Sequence, residues 1–187
     1  MSAVRRIPVI PTVIVAVAIA TMIGLGIWQL GRMQEKEALI ARYQAASTSS
    51  EALATLPADP LSQLYRRVAF TCTGVTAWNA ISGRNARDQA GYVHIATCPD
   101  AEVVLGWSRD PSLQPDWAGG EVTGTIAPGG EAGWRIVADP PLAGLEANAA
   151  PDPADTPNNH LAYAGQWFFF ALSALVIYVL ALRKRGR

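Results

Sequence analysis

Two long apolar runs, one at each end, decide what this chain can be. Residues 7–30 and 161–182 contain no Asp, Glu, Lys or Arg. At about 1.5 Å per helical residue, each is long enough to cross a hydrocarbon core of roughly 30 Å. Inside such a core every backbone N–H and C=O has to be satisfied within its own segment, so each run has to be helical. Pro8 and Pro11 stand at the start of the first run, where a missing amide donor costs little. A cleaved signal peptide is the rival reading of that run. Its apolar stretch exceeds the about 7–15 residues usual for such peptides, and no small-x-small cleavage site closes it. A retained span is the better expectation.

Charge is segregated to match. The formal net charge is zero, with 15 acidic and 15 basic residues. All the acidic residues lie between Glu35 and Asp155, whereas Arg5, Arg6, Arg183, Lys184, Arg185 and Arg187 flank the apolar runs from outside. Residues 31–157 therefore carry −6 and the two ends together +6. Lys and Arg mark the cytoplasmic flanks of membrane spans. The expected topology has both termini inside and the central region outside, with the lipid bilayer as the first partner and no nucleic-acid partner.

The first helix is expected to continue past the membrane through residues 35–43 and to stop at Ser47–Ser50, Pro57 and Pro60. Gly24 and Gly26 would allow a second helix to approach closely. Beyond that, residues 66–75 alternate, with Val68, Phe70 and Cys72 on one face and Arg67, Thr71 and Thr73 on the other. Residues 92–98, 102–107, 121–126 and 134–138 read as further short strands, separated by Gly, Pro and Asp clusters. Residues 81–90 read as a polar loop, and residues 142–157, rich in Ala, Pro, Asp and Asn, as a linker. Such strands suggest an antiparallel sheet or small barrel with a modest core.

The chemistry-bearing motifs are few. There is no Gly-rich phosphate loop, no closely spaced zinc-ligand pair and no Gly-x-Ser-x-Gly elbow. With only His94 and His160 available as histidines, nothing asks for an enzyme. Cys72 and Cys98 admit three readings: a disulfide, favoured in an oxidising compartment, two buried thiols, or a soft copper site shared with His94. A hairpin centred near Asn85 would set the two cysteines opposite each other.

The antiparallel spans bring Trp28, Gln29 and Arg32 to the depth of His160, Tyr163, Gln166 and Trp167. His160, Tyr163 or Ala164, and Trp167 share one helical face. An imidazole, aromatic walls and a cation at one depth suit a flat apolar cofactor bearing carboxylates, of which haem is the obvious case. Arg32 would meet a propionate. Against this stands ordinary interfacial packing of His and Tyr, with Asn158 or Asn159 as an N-cap.

The stretch Leu25-Gly26-Ile27-Trp28-Gln29-Leu30-Gly31-Arg32, with Lys36 beyond it, resembles the amino-terminal motif of the surfeit locus protein 1 family. Asn158-Asn159-His160-Leu161-Ala162-Tyr163-Ala164-Gly165-Gln166-Trp167-Phe168 resembles its carboxy-terminal motif. Tyr65-Arg66-Arg67-Val68, Gly74 and Gly91-Tyr92 resemble its central pattern. Val103-Val104-Leu105-Gly106-Trp107-Ser108-Arg109 departs from it, lacking the Asn and Arg that usually precede the Gly.

The resemblance implies an assembly factor, not an enzyme, for haem-copper cytochrome c oxidase. It would bind haem a transiently and assist its insertion into subunit I, with haem a synthase as a further partner. The histidine it carries over as haem-iron ligand is His160; Trp28, Arg32, Tyr163 and Trp167 would surround the cofactor. The alternatives are a scaffold that holds oxidase subunits without touching haem and a membrane enzyme acting on haem or lipid. With no Arg- and Ser-rich transit segment ahead of the first span, the bacterial inner membrane is the expected location.

The expected architecture is thus membrane α+β: two transmembrane helices flanking a small antiparallel β domain. Residues 1–6 form a cytoplasmic tail, 7–30 the first span, 31–157 the periplasmic domain with linker 142–157, 160–182 the second span and 183–187 a second cytoplasmic tail.

Overall fold

A computed structural model describes residues 8–185. The chain divides into two compact units, with boundaries between Leu39 and Ile40 and between Thr156 and Pro157. The first unit is a pair of helices, drawn from α1 (Val9–Ser47) and α2 (His160–Lys184). Both are long and apolar enough to cross a membrane. Their outer faces stay open, with Ile10 75% and Ile177 67% exposed. Outward-facing apolar surface of that kind is stable against lipid and costly against water.

Small residues set the approach of the two helices. Gly26 is buried, and a Cβ there would lie 2.5 Å from Phe168 Cε1. Ala164 and Ala171, one heptad apart, are the buried residues of α2. Gly24 has open space around it. Two residues correspond to about 200° around a helix, so Gly24 and Gly26 cannot serve the same contact. Farther along, the Thr12 and Tyr178 hydroxyls hydrogen-bond across the pair.

The second unit is a six-stranded sheet. Its strands are β1 (Arg67–Cys72), β2 (Ala77–Arg84), β3 (Ala90–Thr97), β4 (Glu102–Ser108), β5 (Gly120–Pro128) and β6 (Trp134–Ala138). They lie in the order β1-β5-β6-β4-β3-β2. Strand β1 alternates as its sequence demands, burying Val68, Phe70 and Cys72. These residues share a core with Val103, Leu105, Val122 and Ile136. The last turns of α1 contribute to the same unit, where the Tyr43 ring packs on Tyr65 with centroids 5.0 Å apart.

The expectation of a purely antiparallel sheet is corrected in one place. Strand β6 returns from β5 into the gap beside β4, so β4 and β6 run parallel, with Val103 opposite Ile136. A succession of short strands read along the chain does not reveal which neighbour each will take. Strand β2 is a second difference, since its last residues fall in the expected loop 81–90. Ala77–Arg84 contains Asn, Ser and Gly, poor strand formers. Full-length pairing with β3, from Ala77↔Thr97 to Arg84↔Ala90, overrides that preference. The turn between them is held by Asn85, whose side-chain oxygen accepts from the N–H groups of Arg87 and Gln89.

Residues 142–149 form a strap where composition suggested a linker. Leu142 donates to the Leu105 carbonyl, Trp107 and Glu146 exchange backbone bonds, and Ala149 donates to the Arg84 carbonyl. Side chains add to these backbone ties, with Leu142 and Leu145 packed against the core and the Glu146 carboxylate accepting from Asn85 and Arg87.

Cys72 and Cys98 are joined by a disulfide with a Cα–Cα distance of 5.6 Å. The expected hairpin around Asn85 does not make this pairing, because β1 pairs with β5, at the far side of the sheet from β3. In a flat sheet, four strand spacings would separate β1 from β3 by roughly 19 Å. The sheet therefore curls until its ends meet. Thr76, beyond the corner at Gly74, donates its amide to the Thr97 carbonyl at the same seam.

Closing a loop with a sequence separation of 26 residues stabilises by about 3 kcal/mol through the denatured state. Replacing both cysteines with serine should lower the urea midpoint of the full-length protein accordingly. Alkylation of the native protein without reductant should label neither cysteine. Labelling of both, or an unmoved midpoint, would contradict this account.

Candidate functional site

The helix pair brings one imidazole and one amide together. His160 is the first residue of α2, and its Nδ1 lies 2.7 Å from Gln29 Oε1 on α1. Among the described residues its other ring nitrogen, Nε2, makes no hydrogen bond. Gln29 stands three residues beyond Gly26, hence on nearly the same face of α1. The close approach at Gly26 is what puts an amide within reach of the opposite helix. Asn159 occupies the N-cap position without a side-chain cap bond, and Asn158 Oδ1 is buried without a partner.

The other expected site residues are placed differently. Trp28 neighbours Gln29 in sequence, so it points about 100° away around the helix, and it is 56% exposed. The Arg32 guanidinium is engaged by Glu35 on its own helix, with both side chains largely exposed. Tyr163 is exposed as well. Trp167 is half-buried and meets Phe170 edge-on, with ring centroids 6.2 Å apart. The structure thus joins His160 to Gln29 and leaves Trp28, Arg32 and Tyr163 outside that contact. Sequence reasoning brought Gln29 to the right depth but assigned it no chemistry; one amide among interfacial residues carries no periodic signal.

A sequence model of the SURF1 family matches residues 16–172, a span that holds both Gln29 and His160. The chain belongs to the SURF1 family. A SURF1-like protein of Monosiga brevicollis is 37% identical over 83 residues, covering 44% of this chain and 32% of that protein. The chain therefore spans about a third of the length of the curated relative it matches.

The second histidine of this SURF1 chain lies in its β unit. His94 is 1% exposed on β3, and its Nε2 lies 2.8 Å from Ser108 Oγ on β4. Ser108 Oγ in turn donates to the Asp110 carbonyl and accepts from the Asp110 amide. The trio of Ser, His and Asp is not a relay, because the Asp110 carboxylate accepts from the Ser112 N–H and hydroxyl instead. Nor do Cys72, His94 and Cys98 make a copper site, since each sulfur is spent on the other. Among the described residues no three His, Cys, Asp or Glu side chains cluster in a metal-binding arrangement.

Burial lowers the His94 imidazole below its ordinary value, against the opposing pull of the Asp110 charge and a hydrogen bond with the Leu113 backbone. The sign of the consequence follows from linkage. The unfolded chain takes up this proton first, at its ordinary 6.5, so stability is full above that pH and declines as the pH falls below it. Asp110, whose carboxyl the Ser112 hydrogen bonds hold below the usual range, loses its contribution only in more acidic solution. Urea midpoints measured against pH should therefore fall below about pH 6.5 in the wild type, and His94→Asn should flatten that part of the curve. An identical slope in the variant would remove His94 from the account.

Proposed function

We propose that this chain is a non-catalytic, membrane-held assembly factor for cytochrome c oxidase, receiving haem a at the helix pair and passing it toward subunit I. The SURF1 family is known as a cytochrome c oxidase assembly family, and membership supports the first half of this reading. The observation that carries the second half is the state of His160: its ring is held at Nδ1 by Gln29, and its Nε2 makes no hydrogen bond among the described residues. A neutral imidazole nitrogen of this kind is an ordinary ligand for haem iron.

The donor set fits the group in part. His160 supplies the nitrogen, and Trp167, on the same face of α2, supplies an aromatic wall. Arg32 would have to exchange Glu35 for a propionate, and Trp28 faces outward. Haem, when bound, supplies an iron centre that accepts the imidazole. The protein's own Gln29 orients that nitrogen. Such a carrier needs only moderate affinity, because delivery requires release.

The apolar helices and the charged ends support a bacterial inner-membrane location with both termini cytoplasmic and the β unit in the periplasm. Haem a synthase and oxidase subunit I are the partners this reading implies. The outward Trp28 and the Arg32–Glu35 pair favour a second reading, a scaffold that binds oxidase subunits and no haem.

The deciding experiment is a visible absorption spectrum of detergent-purified protein, produced together with the haem a biosynthetic enzymes, for wild type and His160→Ala. A haem a Soret band lost or shifted in the variant is the expected result. A band unaffected by the substitution would keep the carrier and move its ligand to a residue other than His160. Absence of haem from both proteins would leave the scaffold.

A further inference from the structure

We propose that Gln29 is the positioning residue of this site, holding the proton on His160 Nδ1 and thereby presenting Nε2 as the lone-pair nitrogen. The functional consequence rests on His160 acting as the ligand, whereas the assignment itself stands on the helix pair alone.

A neutral imidazole has two tautomers, and only the unprotonated nitrogen can accept a bond or a metal. His160 sits at the very start of α2, where no side-chain cap steadies the first turn. An unconstrained histidine at such a place turns freely and prefers its proton on Nε2, the form that blocks the outer nitrogen. The partner of Nδ1 here is an amide oxygen at 2.7 Å. An oxygen of this type accepts and cannot donate, so the N–H is on Nδ1. Metal-binding histidines are generally held through the other ring nitrogen in the same way, and that second contact sets tautomer, ring orientation and basicity.

The bond crosses between helices, which gives it a second property. Gly26 and Phe168 fix the separation of α1 and α2 close by, so the ring's orientation depends on the helices staying paired. The opposite orientation of the amide would place its NH2 against Nδ1, drive the proton to Nε2 and leave no free nitrogen. The two arrangements are therefore chemically distinct and separable by measurement.

The test uses full-length protein in detergent micelles with 15N-labelled histidine, the His160 signals being identified by their loss in His160→Ala. Ring-nitrogen chemical shifts report the tautomer without any bound cofactor. The Nδ1–H form is expected in the wild type and in Gln29→Glu, whose carboxylate also only accepts. Gln29→Leu is expected to shift the population toward Nε2–H. Titration with ferric haem should show affinity about 10–100-fold weaker in Gln29→Leu, the usual cost of losing such a support, with recovery in Gln29→Glu.

An Nε2–H wild type, or a tautomer unchanged in Gln29→Leu, would overturn the assignment. If Gln29→Leu does not fold, the wild-type and Gln29→Glu spectra still decide it. A wild-type protein with the Nδ1–H form that takes up no ferric haem would overturn the carrier reading and leave the positioning role intact.

Discussion

The helix pair depends on how closely α1 and α2 approach at Gly26. In a bilayer, apolar side chains would gain little by moving from lipid to a neighbouring helix, and association would rely on tight packing and interhelical hydrogen bonds. A hydrogen atom at position 26 leaves room for the edge of the Phe168 ring. That proximity is what lets Gln29 reach His160. A Cβ at position 26 would overlap the edge of the Phe168 ring, so either that ring or the helix spacing would have to shift. The chemistry at His160 is thus a consequence of backbone approach elsewhere on the same helix face.

The β unit solves a different problem. A small sheet has limited apolar area to bury, and an open sheet leaves two unpaired edges. Curling brings β1 and the end of β3 together at the Cys72–Cys98 bond, which encloses the core around Val68, Leu105 and Ile136. Leu53 pairs with Val68 along the outer side of β1, and the strap 142–149 covers the remaining side of β4 and the end of β2. Covered edges give a stable unit without a large core. Two buried polar side chains are partnered: Asn85 reaches Gln89 and Glu146, and His94 reaches Ser108. Their bonds lock turns and loops.

Much of this was legible in the residues. The two charge-free runs, the segregation of charge and the alternation of Val68, Phe70 and Cys72 each carry a physical signal of their own, of length, sign or period. The strand β2 and the strap carry none, since Asn, Ser, Gly, Ala and Pro have weak preferences and were recruited by backbone pairing. At the site, His160 stood out as a rare residue in a recognisable motif. Trp28, expected to cover a bound cofactor, is 56% exposed and points about 100° away from Gln29 around the helix.

By itself, then, the amino-acid order determined the two apolar helices, the segregation of charge to their ends and the presence of a strand-rich segment between them. These follow from composition and periodicity over short windows, which neighbours in space do not alter. Only the tertiary structure decided that β4 and β6 run parallel, that the cysteines close a curled sheet and do not face each other across a hairpin, and that Gln29 hydrogen-bonds His160. Each of those is a pairing between residues far apart in the chain, set by which arrangement packs most closely and satisfies the most polar groups, and no local pattern contains that information.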